Sequence, residues 1–289
     1  MSHATHHHHH AGDHHHGGDQ DEAVLAELLD LDAEVLQSYL LAAVDRVHEL
    51  AGDVRRILDL GSGTGTGTLA LARRFPGADV IAVDQSAEML ARVRAKASEA
   101  GLADRVRTVE ANLDEAWPAI ETVDLAWSSM ALHHLADPAR GLAEIFGLIR
   151  PGGLLAVAEL TESLRFLPDD IGLGRPGLEA RCDAALDELR GAELPYLGAD
   201  WTPLLTGAGF AEVAGQAFDL SLIAPPSPAA ARYAFGWLRR IRGRLDDVLT
   251  ADDLATLDAL TAEDGPQSIL TRQDLAIRGT RTLWTGTRP

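Results

Sequence analysis

Ile57-Leu58-Asp59-Leu60-Gly61-Ser62-Gly63-Thr64-Gly65-Thr66-Gly67 carries an apolar run directly into four glycines at alternate positions. The run reads as a buried strand, and Thr68-Leu69-Ala70-Leu71-Ala72-Arg73-Arg74-Phe75 behind it reads as a helix. Glycines at such a turn tolerate positive φ and let the backbone pass close to another group. The helix start leaves backbone N–H groups without intrahelical partners. In an open α/β sheet this unit puts the turn at the carboxyl edge of the first strand, where ligands bind. Spacing narrows the ligand. A dinucleotide turn needs G-x-G-x-x-G, but the third position is Thr66 counted from Gly61 and Thr68 counted from Gly63. Neither frame fits.

Further apolar segments follow. Asp79-Val80-Ile81-Ala82-Val83-Asp84 is a second strand ending in an acid, and Ser86 is a plausible N-cap for the helix behind it. A third strand reads Arg105 to Asn112, and a fourth reads Val123-Asp124-Leu125-Ala126-Trp127-Ser128-Ser129, followed by Leu132-His133-His134-Leu135. Asp137-Pro138 opens a helix as N-cap and N1. Arg150-Pro151-Gly152-Gly153 ends that helix and leads into a fifth strand, Leu154 to Leu160.

From Ile57 to Leu160 this pattern closely resembles the Rossmann-like S-adenosylmethionine (AdoMet)-dependent methyltransferases, in their small-molecule, quinone- and sterol-type branch. The resemblance rests on Asp59-x-Gly61-x-Gly63-x-Gly65, on Asp84, on the Leu-His-His-Leu turn and on Arg-Pro-Gly-Gly. It implies a three-layer α/β fold: a seven-stranded, mostly parallel sheet whose last strand runs antiparallel beside the fifth, with helical insertions. It also implies AdoMet as cofactor. Asp59, Gly61, Ser62, Gly63, Thr64 and Gly65 would line its turn, and Asp84 would accept from both ribose hydroxyls. Gln85 and Met89 would flank the adenosine, and Ser128 and Ser129 would lie beside the sulfonium and methyl group. Related sequences carry Asp where this chain has Asn112, followed by Leu113, at the adenine. An amide oxygen still accepts there, without the charge; Asp114 is the neighbouring acid.

Composition bounds the partners. With 289 residues, 46% hydrophobic and 24% charged, the chain suits one α/β domain with elaborations. A formal net charge of -19 argues against a nucleic-acid partner and against an anionic membrane surface. The single cysteine, Cys182, rules out an internal disulfide and fits a reducing cytoplasm. No apolar run approaches a membrane span and no signal-peptide pattern opens the chain. Sequence leaves the oligomeric state open.

Residues 1–20 are low in complexity, with His6 to His10 and His14 to His16 set among glycines, and are expected to be disordered. They are either an appended tag or a native tail able to bind Zn²⁺ or Ni²⁺; no metal site is expected in the fold. Residues 21–289 read as one domain, with a core over 53–160. Apolar residues at helical spacing from Leu25 to Val47 predict one or two amphipathic helices, with Tyr39 a candidate pocket residue. Strands six and seven are expected over Glu212 to Ile223 and Ile277 to Thr287.

Two segments exceed the minimal fold, at about 161–200 and 225–272, the second with helices expected to start at Ser227, Thr250 and Thr271. Both leave the carboxyl edge and are expected to build the substrate pocket together with the first helices. Tyr196 and Trp201 in one, and Tyr233 and Trp237 in the other, are candidate substrate contacts. Tyr233 and Trp237 equally suit a helix with both rings inward and its arginines paired with Asp246 or Asp247.

Methyl transfer is an in-line displacement that needs alignment above all. A hydroxyl or acidic-carbon acceptor also needs a base, and His133 or His134 could supply it, or the two could cap their turn. A nicotinamide oxidoreductase is disfavoured by the missing third glycine, and a polyamine synthase by the lack of an assignable acidic pair. A non-catalytic AdoMet-binding protein, or a metal-handling one using the tail, is the remaining alternative.

Overall fold

A computed structural model describes residues 15–222 and 226–289. Seven strands form one sheet in the order β3-β2-β1-β4-β5-β7-β6. They are β1 (Arg56–Leu60), β2 (Asp79–Asp84), β3 (Val106–Glu110), β4 (Val123–Ser129), β5 (Ile149–Arg165), β6 (Ala211–Leu222) and β7 (Ile277–Thr287). β1 pairs parallel with β2 and β4, and β7 runs antiparallel between β5 and β6. The strand order reverses between β1 and β4, which opens a crevice at their carboxyl ends. Ile57, Leu58 and Leu60 are fully buried, as a central parallel strand covered on both faces requires.

One face of the sheet carries α1 (His15–Val35), α2 (Gln37–Ala51), α3 (Thr66–Arg74) and α4 (Ala87–Glu99). The insertion helices α6 (Leu178–Glu193), α8 (Pro228–Arg244) and α9 (Ala251–Leu260) join the same core. The opposite face carries α5 (Pro138–Leu148) and α7 (Thr202–Gly207). Helix starts follow their side-chain caps: Ser86 accepts from Met89 N, Asp137 from Arg140 N and Ser227 from Ala230 N.

Three boundaries differ from the sequence expectation. Helix α1 begins at His15, inside the tract expected to be disordered, because Ala26 and Leu28 are buried and the helix propagates back from that packed turn. Residues 1–14 of the tail, with their metal-binding reading, lie outside the described residues. Thr271 ends a 3₁₀ turn (Ile269–Thr271) instead of starting a helix. Arg272 is extended, and its guanidinium holds Asp274 and the Ile171 carbonyl, which steers the chain into β7. Strand β5 is longer at both ends than predicted. Ile149 pairs with Val123, the chain kinks at Gly152 (φ 74), and pairing resumes at Leu154. Its far end reaches Arg278 of β7, so the first insertion leaves the sheet after Arg165.

Both insertions rise from the carboxyl edge, since β5 and β6 both lie antiparallel to β7 and β5 is parallel to β4. Asp253 on α9 ties them together. Its carboxylate accepts from Arg181 Nε and Nη2 (3.1 and 2.7 Å) and from Arg175 Nη2 (2.7 Å), both in the first insertion.

Candidate functional site

Glycine Gly61 follows β1 with φ 68, and a Cβ there would lie 2.3 Å from the Ala131 Cβ. Gly65, with φ 86, would set a Cβ 2.9 Å from Val93 Cγ2 on α4. Two packed segments of the protein, as well as any ligand, therefore demand glycine in this turn. The Gly61 and Ser62 N–H groups both donate to the Val83 carbonyl (2.9 and 3.0 Å). Asp84 completes the fastening: one carboxylate oxygen accepts from Gly63 N (2.8 Å) and the other from Ser86 N (3.0 Å). Each oxygen keeps a second lone pair for an incoming hydroxyl. The Ser62 hydroxyl, within the turn, is buried without a partner among the described residues.

Asp59 sits beneath the turn rather than in it. It is 2% exposed and accepts from Thr68 Oγ1 (2.5 Å) at the start of α3. Burial pushes its pKa up to about 7, against the opposing bond from Thr68. The folded protein therefore holds this proton to higher pH than the unfolded chain does. That contribution to stability is full below pH 4 and is lost as pH rises through about 7. Asp59→Asn removes the desolvated charge and keeps an acceptor for Thr68. A net gain of about 1–2 kcal/mol at pH 8 is expected after the unpaired amide is counted. Thermal unfolding at pH 8 and pH 4 checks this, the gain vanishing at the lower pH.

The other expected cofactor residues divide. Met89 is buried on α4, Gln85 is exposed at its mouth, and Ser129 is half-buried at the end of β4. Ser128 is fully buried, and its hydroxyl donates across the sheet to the Leu60 carbonyl. Asn112 folds back, accepting from Asp114 N and donating to Glu115, and Leu113 packs with the core behind β1. Asp114 accepts from Ala136 N and is turned toward that loop.

Helix α1 lies over the turn, which no local pattern announced. Leu29 Cδ1 comes within 3.2 Å of where a Gly63 Cβ would stand. Thr64 Oγ1 and Lys96 Nζ both donate to Asp30 (2.6 and 2.5 Å), and the Ser86 hydroxyl donates to Glu22.

Beyond β4, Met130 takes φ 55, a left-handed conformation costly for a non-glycine residue. It opens the turn that carries the two histidines. His133, 4% exposed, has Nδ1 2.5 Å from Glu159 Oε2, and its backbone N–H faces Glu159 Oε1 at 3.4 Å. A carboxylate acceptor at Nδ1 assigns the proton there and leaves Nε2 as the basic nitrogen. The His134 ring packs against that of His133 at 4.1 Å, tilted by 43°, and is exposed to solvent on its other side. Desolvation of its packed side, then His133 and Arg240, push its pKa down to about 4.

The five aromatic candidates separate into two groups. Tyr39 and Tyr233 are buried on the α1 face, and Trp237 packs half-buried with them, its ring 6.4 Å from that of Tyr233. Arg242 pairs with Asp246 and Asp258, as an inward-facing aromatic helix with paired arginines would have it. Tyr196 and Trp201 pack in the opposite layer with α5 and α7, away from the others. Asp32 and Arg281, both missed from sequence, join the first group. A charge at an inward position was the available signal: Leu28, Asp32 and Leu36 share a helix face, and Ile277, Arg281 and Leu283 share a strand face. Among the described residues no group of three or more His, Cys, Asp and Glu could hold a metal ion. No described helix is long and apolar enough to cross a membrane.

Residues 57–153 match the family described as "Methyltransferase domain". A trans-aconitate 2-methyltransferase from Azoarcus sp. (strain BH72) is 37% identical over 105 residues, 36% of this chain and 39% of that protein. A demethylmenaquinone methyltransferase from Thermus thermophilus is 40% identical over 120 residues, 40% of this chain and 51% of that protein. The matched stretch thus spans about half of these relatives' length or less. Among solved structures, a putative methyltransferase from Bacillus halodurans superposes with a TM-score of 0.55 at 18% identity, covering 86% of this chain and 98% of that one. Its likeness extends the shared fold well past the matched domain. Over residues 57–153, this chain is similar to the methyltransferase-domain family.

Proposed function

We propose that this protein is a cytoplasmic AdoMet-dependent methyltransferase acting on a small molecule. The observation that carries the reading is the turn from Gly61 to Gly65 at the crevice between β1 and β4, held at Gly63 N by one oxygen of Asp84 while the other oxygen holds Ser86 N. Gly61, Ser62, Gly63, Asp84, Gln85, Met89, Asn112, Leu113 and Ser129 would hold the cofactor. When bound, AdoMet supplies an electrophilic methyl group on a sulfonium. The chain's own contribution is alignment, from the rigid turn and the strained Met130. His133, held by Glu159, takes the acceptor's proton at Nε2. The net charge of -19 supports a small molecule over a nucleic acid, and the single cysteine, buried as a free thiol, suits a reducing compartment.

Calorimetric titration of the full chain is expected to show S-adenosylhomocysteine binding at micromolar concentration and no binding of NADH. Removal of residues 1–14 leaves that binding intact. A chain that bound NADH instead, or neither, would refute the reading. Screening labelled methyl transfer against cell metabolites then finds the acceptor. With it in hand, His133→Gln is expected to lower kcat by about 100-fold and Glu159→Gln by about 10-fold. Unchanged turnover in both would assign the pair to structure alone.

A further inference from the structure

Asp32 and Arg281 are separated by 249 residues and meet in the core between α1 and β7. Asp32 accepts from Arg281 Nη1 (3.0 Å) and Nη2 (2.5 Å) and from the Tyr233 hydroxyl (2.5 Å). Arg281 is 5% exposed, and its Nε has no partner among the described residues. The guanidinium carbon stands 5.2 Å from the centroid of the Tyr39 ring, and the Tyr39 hydroxyl is likewise buried and unpartnered. The interior cation thus keeps one orphaned nitrogen, and the residue whose ring it faces keeps an orphaned hydroxyl. Each orphan destabilises the fold, and a buried ion pair is often no better than an apolar replacement.

The cluster's place gives its chemistry a use. Arg281 lies opposite Leu160 on β5, one residue past the Glu159 that holds His133. The rings of Tyr39, Tyr233, Trp237 and Phe218 make the surroundings apolar. Two residues before Asp32, Asp30 grips Thr64 of the glycine turn, so one turn of α1 touches both halves of the site. Guanidinium forks match carboxylates, and Arg281 is already engaged by one at both terminal nitrogens.

We propose that Arg281 and the Tyr39 hydroxyl form a subsite for a carboxylate on the methyl acceptor, and that Asp32 fills it until such an acceptor arrives. The acceptor is then an organic acid whose carboxylate is joined to an apolar, unsaturated or aromatic body. This rests on the methyltransferase reading and adds the substrate class.

The test uses the full chain, with S-adenosylhomocysteine titrated first to score the donor site separately. Cinnamate and its neutral amide are then titrated into the loaded protein. Cinnamate is expected to bind at least about tenfold tighter than cinnamamide, the difference coming from one charge-assisted pair. Asp32→Asn keeps an acceptor for Tyr233 and removes the competing charge. It is expected to tighten cinnamate about tenfold and leave cinnamamide unchanged. Arg281→Met alone strands Asp32 and could unfold the chain, so the double variant Asp32→Asn/Arg281→Met is the informative partner. It should melt cooperatively, bind S-adenosylhomocysteine and lose the preference for cinnamate. The proposal is overturned if Asp32→Asn gains nothing for cinnamate, or if the folded double variant still prefers it. Failure of S-adenosylhomocysteine to bind the wild type would instead sink the methyltransferase reading, and the same cinnamate comparison on the unloaded protein would still decide the subsite.

Discussion

Gly61→Ala is expected to weaken S-adenosylhomocysteine binding by several hundred-fold while the protein remains folded. The residue sits at φ 68, where an L side chain is strained by about 1–2 kcal/mol. Its new Cβ would stand 2.3 Å from the Ala131 Cβ, an overlap that can be relieved only by moving the turn or the segment after β4. Overpacking of this kind adds about 1–3 kcal/mol. Both ways out disturb the site: one lifts Ser62 and Gly63 away from Val83 and Asp84, and the other displaces the turn that carries His133. Titration calorimetry reads the affinity, and Gly147→Ala serves as control. Gly147 lies in α5 with nothing within 4 Å of its would-be Cβ, so alanine there should leave binding unchanged. It should also stabilise the helix by up to about 1 kcal/mol. Equal binding by Gly61→Ala and wild type would remove the glycine turn from the proposed site.

Asp253→Asn should lower the stability at pH 7 by roughly 3 kcal/mol, because it sets a neutral amide, with N–H donors of its own, against the two guanidinium groups that the buried carboxylate now bonds. In a chain of this size that is a fall in Tm of about 6–10 °C. Hydrogen bonds from Arg181 in the first place, then those from Thr250 and Arg175, hold the Asp253 pKa down to about 2 in spite of burial. A depressed carboxyl contributes stability that is fully present above its unfolded pKa near 4. That contribution is lost as pH falls through about 2. The difference between wild type and Asp253→Asn should therefore be constant from pH 5 upward and shrink below pH 4. Asp59 runs the opposite way, since burial raises its pKa and its contribution disappears as pH rises. Melting curves of both variants across pH 3–8 separate the two signs. A pH-independent loss in Asp253→Asn would mean that shape rather than charge joins the insertions.

The two carboxylates also show what a sequence can and cannot reveal. Asp59 was legible as the acid before the glycine turn, yet nothing local says that it turns under the turn toward Thr68. Its raised pKa is a property of the helices stacked over it. Asp253 stands three residues after the Thr250 cap, so its place in the first turn of α9 was readable. Its partners Arg175 and Arg181 lie more than 70 residues earlier in sequence, and only chain folding brings them near. Trp201 and Trp237 look alike in sequence as aromatic residues of the two insertions, but the sheet separates them into opposite layers.

What the sequence determined by itself is the strand–turn–helix frame: the glycine spacing, the acid ending β2, and the caps of α4, α5, α8 and α9. These are local demands of backbone geometry and hydrogen bonding, and a few neighbouring residues suffice to state them. Only the tertiary structure decided that α1 lies over the turn, that Glu159 holds His133, and that Asp32 closes on Arg281. Each of those depends on residues far apart in sequence whose side chains share no periodicity. Their meaning is set by burial, which exists only after the sheet and both insertions have packed.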